Sequence, residues 1–436
     1  MLADRPRPGT PAGTASVVVG AAAAGLAAAA ALRAAGCGVT LIEAGARCGG
    51  RARTERPAAL GAAAFDHGAS WLHDAERNSL ADLARAQGRT LLDAPEMHTA
   101  RLFVDARPAM RAERDAYAAA GTRWTAAVLD SLARLAPDAD LDLAAAADAL
   151  GKDPWRATLE AWEGALIAAA DAEALSLRDW HRNALAGTNL RAAGGLGDLL
   201  LAVHAAEVAR ASLRTPATRI DWAGPGVTVE TPRGTLRADS CIVTVSTGVL
   251  RAGAIRFHPK LPATTEGALH GLPMGLLSKV ALRAAGPDRL GLPGSCTVER
   301  RFRPGETGMM AQAWPDGADH LIGFFGGRAA WDLAAARHGT AAAYAREQLR
   351  LILGADADRA FARDAVETTW GRDPHFLGAY AYAPPGQHAQ RGVLGEPLAG
   401  GRLVFAGEAV REDGLAGTVG GAILSGRGAA ELAAAA

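Results

Sequence analysis

The sequence predicts an α/β protein in which a parallel-sheet domain is combined with a second, mixed α+β domain. SVVVGAAAAGLAAAAALRAAG, residues 16–36, is typical of a buried strand that turns at a glycine into an apolar helix. GVTLIEA follows as a second strand, which completes a strand–helix–strand unit. Alternating apolar and polar residues in SKVAL and HLIGFF predict a further sheet between residues 259 and 374. Before it, the Ala-, Leu- and Arg-rich chain from ADLARAQGRTLLDAP to RDWHRN is predicted to be helical.

The composition indicates a soluble globular chain with room for two or more domains. Its 436 residues are 49% hydrophobic and 21% charged. The 46 basic and 46 acidic residues balance, which argues against nucleic acid or an anionic membrane as a partner. The four cysteines are scattered and form no CxxC pair, so we expect no disulfide framework, no metal site and a reducing, cytoplasmic location. The oligomeric state is left open.

Residues 16–36 allow three interpretations: a targeting segment, an alanine-rich core helix, or a dinucleotide-binding turn. The apolar run is broken by Arg33 after about 17 residues, near the lower limit for a membrane span. The prolines and glycines before it predict a flexible tail over residues 1–14. The strand GVTLIEA, which ends on an acidic residue, has no place in a targeting segment, and its presence favours the other two interpretations.

The spacing of glycines and an acid favours the dinucleotide-binding turn. In such a unit the first glycine makes the turn, the second admits the pyrophosphate, and the third lets the helix pack on the strand. Gly20 and Gly25 fill the first and third positions, whereas Ala22 places a methyl group at the second. Glu43 ends the next strand at the spacing of a ribose-binding acid.

Further motifs follow Glu43 along nearly the whole chain. EAGARCGGRART, FDHGASWLHDAERN, GLLSKVAL, ETTWGRDPHFLGAYAYAPPG and GRLVFAGEAVREDGLAGTVGG occur in that order. Together they resemble the motifs of the flavin-containing amine oxidase family, which includes monoamine and polyamine oxidases. SWLH at residues 70–73 stands where relatives that oxidise amino acids usually carry an arginine-bearing segment. The chain is therefore closest in its motifs to the polyamine oxidases.

The resemblance implies FAD as the cofactor. Ala379 stands where monoamine oxidases place the cysteine that bonds the flavin, so we expect noncovalent binding. Thr418 stands where those enzymes place the second aromatic residue of a substrate cage, although its backbone is expected to meet the flavin ring. The positions that the resemblance implies for cofactor binding are Gly20, Ala22, Ala24, Gly25, Glu43, Arg47, Gly49, Gly50, Arg51, Gly68, Ala69, Ser70, Trp71, Ala217, Trp370, Gly407, Glu408, Thr418 and Val419.

The resemblance also implies that the FAD-binding domain is discontinuous and Rossmann-type. The expected FAD-binding segments are residues 15–75, 189–255 and 390–436. The substrate-binding domain is expected to comprise residues 76–188 and 256–389.

Five side chains are candidates for chemistry or substrate binding. The resemblance places Lys279 near the flavin N5 and Tyr380 in the pocket wall, and His73 follows the flavin-side motif. The alternatives are a solvent-facing lysine, ordinary packing of the tyrosine and a structural histidine. Asp171 and Glu173 are candidate partners for a distal ammonium group, although the same pair is typical of a solvated helix start.

The function implied by the resemblance is oxidation of polyamines such as spermine, spermidine or their acetylated forms. A hydride passes from the carbon next to a neutral nitrogen to flavin N5, the imine hydrolyses to an aldehyde and an amine, and oxygen becomes hydrogen peroxide. Two alternatives stay open. One is a carotenoid-type carbon–carbon desaturase, which shares the N-terminal motif. The other is a weakly FAD-binding, non-catalytic flavoprotein, which Ala22 favours.

Overall fold

A computed structural model describes residues 14–94 and 99–436. Of the predicted tail, residues 1–13 lie outside the described residues. The strands, numbered along the chain, are β1 (Ala15–Val19), β2 (Gly38–Ile42), β3 (Thr54–Glu55), β4 (Phe65–Asp66), β5 (Leu91–Asp93), β6 (Ala100–Val104), β7 (Arg107–Pro108), β8 (Leu190–Ala192), β9 (Arg219–Asp221), β10 (Val227–Thr231), β11 (Gly234–Ala238), β12 (Ser240–Val243), β13 (Arg256–His258), β14 (Met274–Gly275), β15 (Leu277–Ala284), β16 (Cys296–Arg300), β17 (Met310–Ala313), β18 (His320–Gly326), β19 (Phe361–Glu367), β20 (Tyr380–Ala381) and β21 (Leu403–Phe405).

The helices vary from single turns to 24 residues. They are α1 (Ala23–Ala34), α2 (Ser79–Ala86), α3 (Arg111–Arg134), α4 (Leu143–Ala146), α5 (Arg156–Ala161), α6 (Leu177–Arg182), α7 (Leu196–Val203), α8 (Ala205–Arg210), α9 (Thr247–Arg251), α10 (Ala263–Gly271), α11 (Gly327–Ala335), α12 (Thr340–Leu353), α13 (Ala357–Ala360), α14 (Gln390–Gly395) and α15 (Val419–Ala434). Within residues 14–94 and 99–436, no helix combines the length and apolarity needed to cross a bilayer.

A four-stranded parallel sheet, in the order β2-β1-β12-β21, forms the centre of the first domain. Strands β1, β12 and β21 are short runs buried on both faces, as is typical of parallel sheets, whereas the edge strand β2 is exposed at Gly38 and Thr40. Val18, Ile242 and Val404 face the helices α1 and α15, while their neighbours in each strand face the opposite side. A Cβ on Gly426 would lie 2.1 Å from the Ala24 carbonyl oxygen, so this glycine permits the close contact of the two helices.

The opposite side of the parallel sheet is covered by a second sheet, in the order β11-β10-β9-β13. Ile220 and Val229 from this sheet share a core with Val17 and Phe405. The parallel sheet is therefore covered by helices on one face and by the second sheet on the other. The carboxyl ends of its strands are left at one edge of these layers. In open sheets of this kind, ligands bind at that edge.

The second domain contains the sheet predicted between residues 259 and 374, which has seven strands in the order β19-β15-β18-β17-β16-β6-β7. Strand β15 lies inside it and carries Lys279. The sheet also takes in β6 and β7, which lie in the segment predicted to be helical. Strand β6 pairs in parallel with β16, and Ala100 lies opposite Thr297, about 200 residues later in the chain. Local periodicity does not reveal a partner at that distance.

Several elements make contacts across the predicted domain boundaries. Helix α2, expected in the substrate domain, places Leu80 and Ala84 in the core formed by α1 and α15. Strand β13 and helix α10, beyond residue 255, pack with the first domain: β13 pairs with β9, and Ala268 lies in the core between the parallel sheet and the second sheet. Strand β8 also crosses the boundary at residue 189 by pairing with β5. The predicted boundaries were drawn from sequence motifs, and such motifs do not report contacts between segments that are distant along the chain.

Candidate active site

The turn between β1 and α1 has the geometry of a phosphate-binding turn. Gly20 has a φ of +102°, which favours glycine, and a Cβ there would lie 2.7 Å from the Thr244 hydroxyl. A Cβ on Gly25 would lie 1.8 Å from the Gly20 carbonyl oxygen, so no larger residue fits. Ala22 is the N-cap of α1. The first turn of a helix has N–H groups without helical partners, which suit a diphosphate.

Glu43 lies beside this turn at the end of β2. Its carboxylate accepts hydrogen bonds from the backbone N–H of Ala21 at 2.8 Å and of Gly45 at 2.7 Å. The side chain is thus held next to the first turn of α1, where a ribose-binding acid is needed. Both turn and acid fit a dinucleotide, and the residues predicted for it are brought together.

The glycine- and arginine-rich loop at residues 47–51 folds back on the turn. Arg47 donates to the carbonyls of Cys48 at 3.0 Å and Gly50 at 2.8 Å, which shapes the loop. Gly50 has a φ of +56°, and a Cβ there would lie 2.6 Å from that of Ala22. The methyl group of Ala22 therefore fills the space directly above Gly50. Gly49 donates its N–H to the Ala21 carbonyl at 2.9 Å.

Lys279 is buried, with 4% of its surface exposed, so the solvent-facing alternative is wrong. Its Nζ donates to the Asp66 carbonyl at 2.9 Å, the Gly68 carbonyl at 2.5 Å and the Ser70 hydroxyl at 2.6 Å. Burial lowers the pKa of Lys279 to about 8, against the opposing effect of the Asp66 carboxylate. The ammonium is therefore held against the segment predicted to lie beside the flavin.

Aromatic rings surround this ammonium. Nζ of Lys279 lies 5.2 Å from the ring centre of Phe324 and 5.9 Å from that of Trp71. His73 follows on the same segment, and its Nδ1 donates to the Asn189 side-chain oxygen at 2.6 Å. Burial lowers the pKa of His73, with the Asn189 hydrogen bond acting against it, so the imidazole is neutral at pH 7. Phe324 was not predicted, because HLIGFF indicated only a strand.

Tyr380 is held by its hydroxyl and by both adjacent peptide groups. The hydroxyl donates to the Ile167 carbonyl at 2.6 Å. On one side Arg51 donates to the Ala379 carbonyl at 2.7 Å, and on the other the Ala381 N–H donates to Glu408 at 3.1 Å. Arg51 and Glu408 also form an ion pair at 2.9 Å. These two predicted cofactor residues therefore connect directly to the predicted pocket wall.

The N-terminus of α15 faces the same region. Thr418 is its N-cap: the hydroxyl accepts from the Gly421 N–H at 2.9 Å and donates to the Leu415 carbonyl at 2.8 Å. The side chain is therefore engaged in the helix, and only the backbone of Thr418 and Val419 is available to a cofactor. Gly417, next to it, lies against the Tyr380 ring: a Cβ there would be 3.5 Å from the ring edge.

The other positions predicted to bind the cofactor differ in burial. Ala24 and Ala217 lie in the core, with 3% and 7% of their surfaces exposed. Trp370 is buried and donates Nε1 to the His67 carbonyl at 2.9 Å, while Ala69 is half-buried. Gly407, with a φ of +147°, leads into Glu408. A contribution of Ala24 or Ala217 to cofactor binding is therefore limited to backbone groups.

The two acids of the predicted pair have different surroundings. The carboxylate of Asp171 accepts from the Arg328 backbone N–H at 3.3 Å and pairs with its guanidinium at 3.4 Å. Glu173 is exposed. The carboxylates whose charges act on the pKa of Lys279 and of Tyr380 are instead those of Asp66 and Glu408. Asp171 precedes the helical turn Ala172–Ala174 without capping it by its side chain, and a substrate role for the pair stays a prediction.

Glu163, which the sequence did not single out, lies on the helical segment that contacts Tyr380. Residues Trp162–Ala168 form a π-helix, a geometry common at functional sites. It supplies the Ile167 carbonyl that holds Tyr380, and it carries Glu163 one turn earlier. Glu163 accepts from Nε1 of Trp180 at 3.3 Å, and burial raises its pKa. No cation pairs with it in residues 14–94 and 99–436. In the sequence, WEGAL is indistinguishable from other helical residues.

Known proteins share this sequence and architecture. The chain matches the model described as flavin-containing amine oxidoreductase over residues 23–434. Polyamine oxidase 4 of Oryza sativa subsp. japonica is 29% identical over 95% of this chain and 87% of its own length. Lysine-specific histone demethylase 1 homolog 3 of Arabidopsis thaliana is 33% identical over 43% of this chain and 12% of its own. A structure of putrescine oxidase bound to putrescine superposes with a TM-score of 0.79 at 21% identity, covering 96% of this chain and 98% of that one.

The fold and the site define a flavoprotein oxidoreductase, with a dinucleotide-binding turn and a buried lysine in the adjoining domain. The chain belongs to the flavin-containing amine oxidoreductase family. The predicted family, fold class and enzyme class are confirmed, which sets the desaturase alternative aside. Family membership implies FAD, an amine substrate and oxygen, and the turn formed by Gly20, Gly25 and Glu43 fits such a cofactor.

Proposed function

We propose that this protein oxidises polyamines with noncovalently held FAD in the cytoplasm. The observation that carries the proposal is the buried Lys279, whose ammonium bonds to Gly68 and Ser70 within the predicted flavin-side motif. The identity of 29% and 28% to two rice polyamine oxidases, over 95% of this chain, supports the substrate class. Ala379 provides no thiol for a flavin bond, and the four cysteines are free and buried, which supports a reducing compartment.

Bound FAD supplies the acceptor for a hydride from the carbon next to the amine nitrogen. The rings of Phe324 and Trp71 near Lys279 would favour the neutral form of an amine nitrogen held beside them, because an apolar environment disfavours the ammonium. Burial also raises the pKa of Tyr380, so its hydroxyl keeps its proton, donates to the Ile167 carbonyl, and acts as wall rather than base. The Ser70 hydroxyl accepts from Lys279 and donates its own proton to the Gly68 carbonyl at 3.3 Å, so it would keep that second hydrogen bond if a water took its place at Lys279.

Glu163 is our candidate for the distal ammonium of the substrate. Its partly buried carboxylate has one neutral donor, Trp180, so a cation would satisfy its charge. It lies one turn from the Ile167 carbonyl that holds Tyr380. A diamine or longer polyamine could then place one nitrogen at Tyr380 and another at Glu163, whereas a monoamine would use only the first.

The test is the flavin spectrum of the purified protein during anaerobic amine addition. We expect visible flavin bands that spermine, spermidine or N-acetylspermine bleach, while benzylamine and free amino acids leave them intact. Acid precipitation should release all the flavin into the supernatant. Failure to bind added FAD would support the non-catalytic alternative, and bleaching only by monoamines or amino acids would overturn the polyamine assignment.

A further inference from the structure

Arg391 and Asp179 form a buried, two-point ion pair between α14 and α6. Nε of Arg391 lies 2.7 Å from one Asp179 oxygen and Nη2 lies 2.8 Å from the other. Arg391 is 2% exposed and Asp179 is 6% exposed. Asn183 donates a further hydrogen bond to Asp179 at 3.0 Å. Burying two charges is costly, and such a pair often stabilises a fold no more than apolar residues of similar volume. Stability alone is therefore a weak explanation for it.

The remaining donors of Arg391 reach the backbone around the pocket wall. Nη2 donates to the Ala381 carbonyl at 3.2 Å, and Nη1 donates to the Ala409 carbonyl at 3.0 Å. Ala381 directly follows Tyr380, and Ala409 directly follows Glu408. Glu408 in turn accepts from the Ala381 N–H. The Ala381 residue is thus fixed at both its N–H and its carbonyl by buried charged side chains.

We propose that Arg391 is a positioning residue for Tyr380. Through its pair with Asp179, it fixes the orientation of the Ala381 peptide and hence the Tyr380 ring, relative to the segment that carries Glu408. The kinetic part of this inference rests on the proposed function, whereas the structural part does not. Asp179 acts indirectly, because it holds the Arg391 guanidinium in the orientation in which it reaches the carbonyls of Ala381 and Ala409.

The test removes the pair without leaving a buried charge. Arg391→Met with Asp179→Leu replaces both partners by apolar residues, and Arg391→Lys keeps the charge but loses the two-point geometry. A matched control is the pair between Arg191 and Asp316, which has a similar geometry at 2.7 and 2.5 Å and lies on other elements. The control variant is Arg191→Met with Asp316→Asn.

The first measurement observes Tyr380 without relying on catalysis. The chain has four tyrosines, so 3-fluorotyrosine labelling of the holoenzyme gives four fluorine resonances, and Tyr380→Phe assigns one of them. We expect the Tyr380 resonance to broaden or split in the Arg391→Met, Asp179→Leu protein, while those of Tyr117 and Tyr344 stay sharp. In the control variant all four should match the wild type. An unchanged Tyr380 resonance would overturn the inference.

The second measurement separates positioning from general destabilisation. We expect kcat for a polyamine to fall by about 10-fold or more in the paired variant, with KM near the wild-type value, because misplacement affects the reacting geometry. In a Tyr380→Ala background the same two substitutions should cause no further fall, since Arg391 acts through that ring. Additive losses would contradict the inference. If the paired variant does not fold, Arg391→Lys is carried through both measurements, with a smaller effect of the same kind expected. If no amine is oxidised, the proposed function fails while the fluorine measurement still decides this inference.

Discussion

The burial of Lys279 makes the stability of the protein depend on pH in a way that one substitution removes. Its pKa is lowered from the ordinary value of 10.5 to about 8 by burial. Below pH 8 the side chain is charged in both the folded and the unfolded chain, and the folded state bears the full cost of the buried charge. Between pH 8 and 10.5 the unfolded chain binds the extra proton, so wild-type stability rises with pH.

The size of this effect follows from the same interval. From about 8 to 10.5, at about 1.4 kcal/mol per pH unit, the gain in the free energy of unfolding is about 3 kcal/mol. Lys279→Met has no proton to lose and should not show the gain. We therefore expect the free energy of unfolding of the variant, relative to the wild type, to fall by about 3 kcal/mol between pH 7 and pH 11.

Parallel guanidinium titrations of the two proteins at several pH values measure this difference, and contributions from groups that do not interact with Lys279 cancel in it. Lys152→Met is the matched control, because Lys152 is exposed and its removal should leave the difference flat. Wild-type and Lys279→Met curves that stay parallel across this pH range would show that burial does not lower the pKa of Lys279. A variant that gains relative stability as the pH rises would show the same.

Three further outcomes are expected. Ala22→Gly removes the methyl group packed over the loop and should tighten FAD binding by about 5-fold, about 1 kcal/mol, in a fluorescence titration; unchanged affinity would mean that the methyl is harmless. Gly25→Ala should abolish FAD binding, because its Cβ would overlap the Gly20 carbonyl, whereas Gly267→Ala on α10 has free space and should bind FAD normally. Glu163→Gln should raise KM for a diamine by about 10- to 100-fold and leave KM for a monoamine of equal length unchanged, and equal effects on both would contradict the substrate role.

The sequence predicted best what depends on neighbouring residues. The β1–α1–β2 unit and the role of Gly25 follow from local spacing, because the turn needs no distant partner. Strand β6 escaped prediction, since its partner Thr297 lies in a remote segment. The ion pair between Asp171 and Arg328 was missed for a related reason, because it depends on where α11 begins, which no pattern around residue 171 reports.

The buried pair of Arg391 illustrates the same limit for a functional site. Both partners occur in ordinary polar stretches, RDWHR and AQRGV, and neither has the spacing of a motif. The contact between them forms only in the folded chain, where α6 and α14 pack together and Arg391 reaches the carbonyl of Ala381, next to Tyr380. Motifs therefore indicated the cofactor side of the site, whereas the substrate side depends on tertiary contacts.

The order of strands in the parallel sheet also has a consequence for biosynthesis. Strand β1 pairs with β12, with Ser16 opposite Ser240, and the sheet ends with β21 at residues 403–405. During translation, the alanine-rich helix α1 therefore emerges long before its packing partner α15 at the carboxyl end of the chain. Until α15 is made, a nascent chain has no partner for this apolar surface of α1, and we expect the exposed surface to bind chaperones. A variant truncated before residue 419 would lack that partner, so we expect α15 to be needed for solubility.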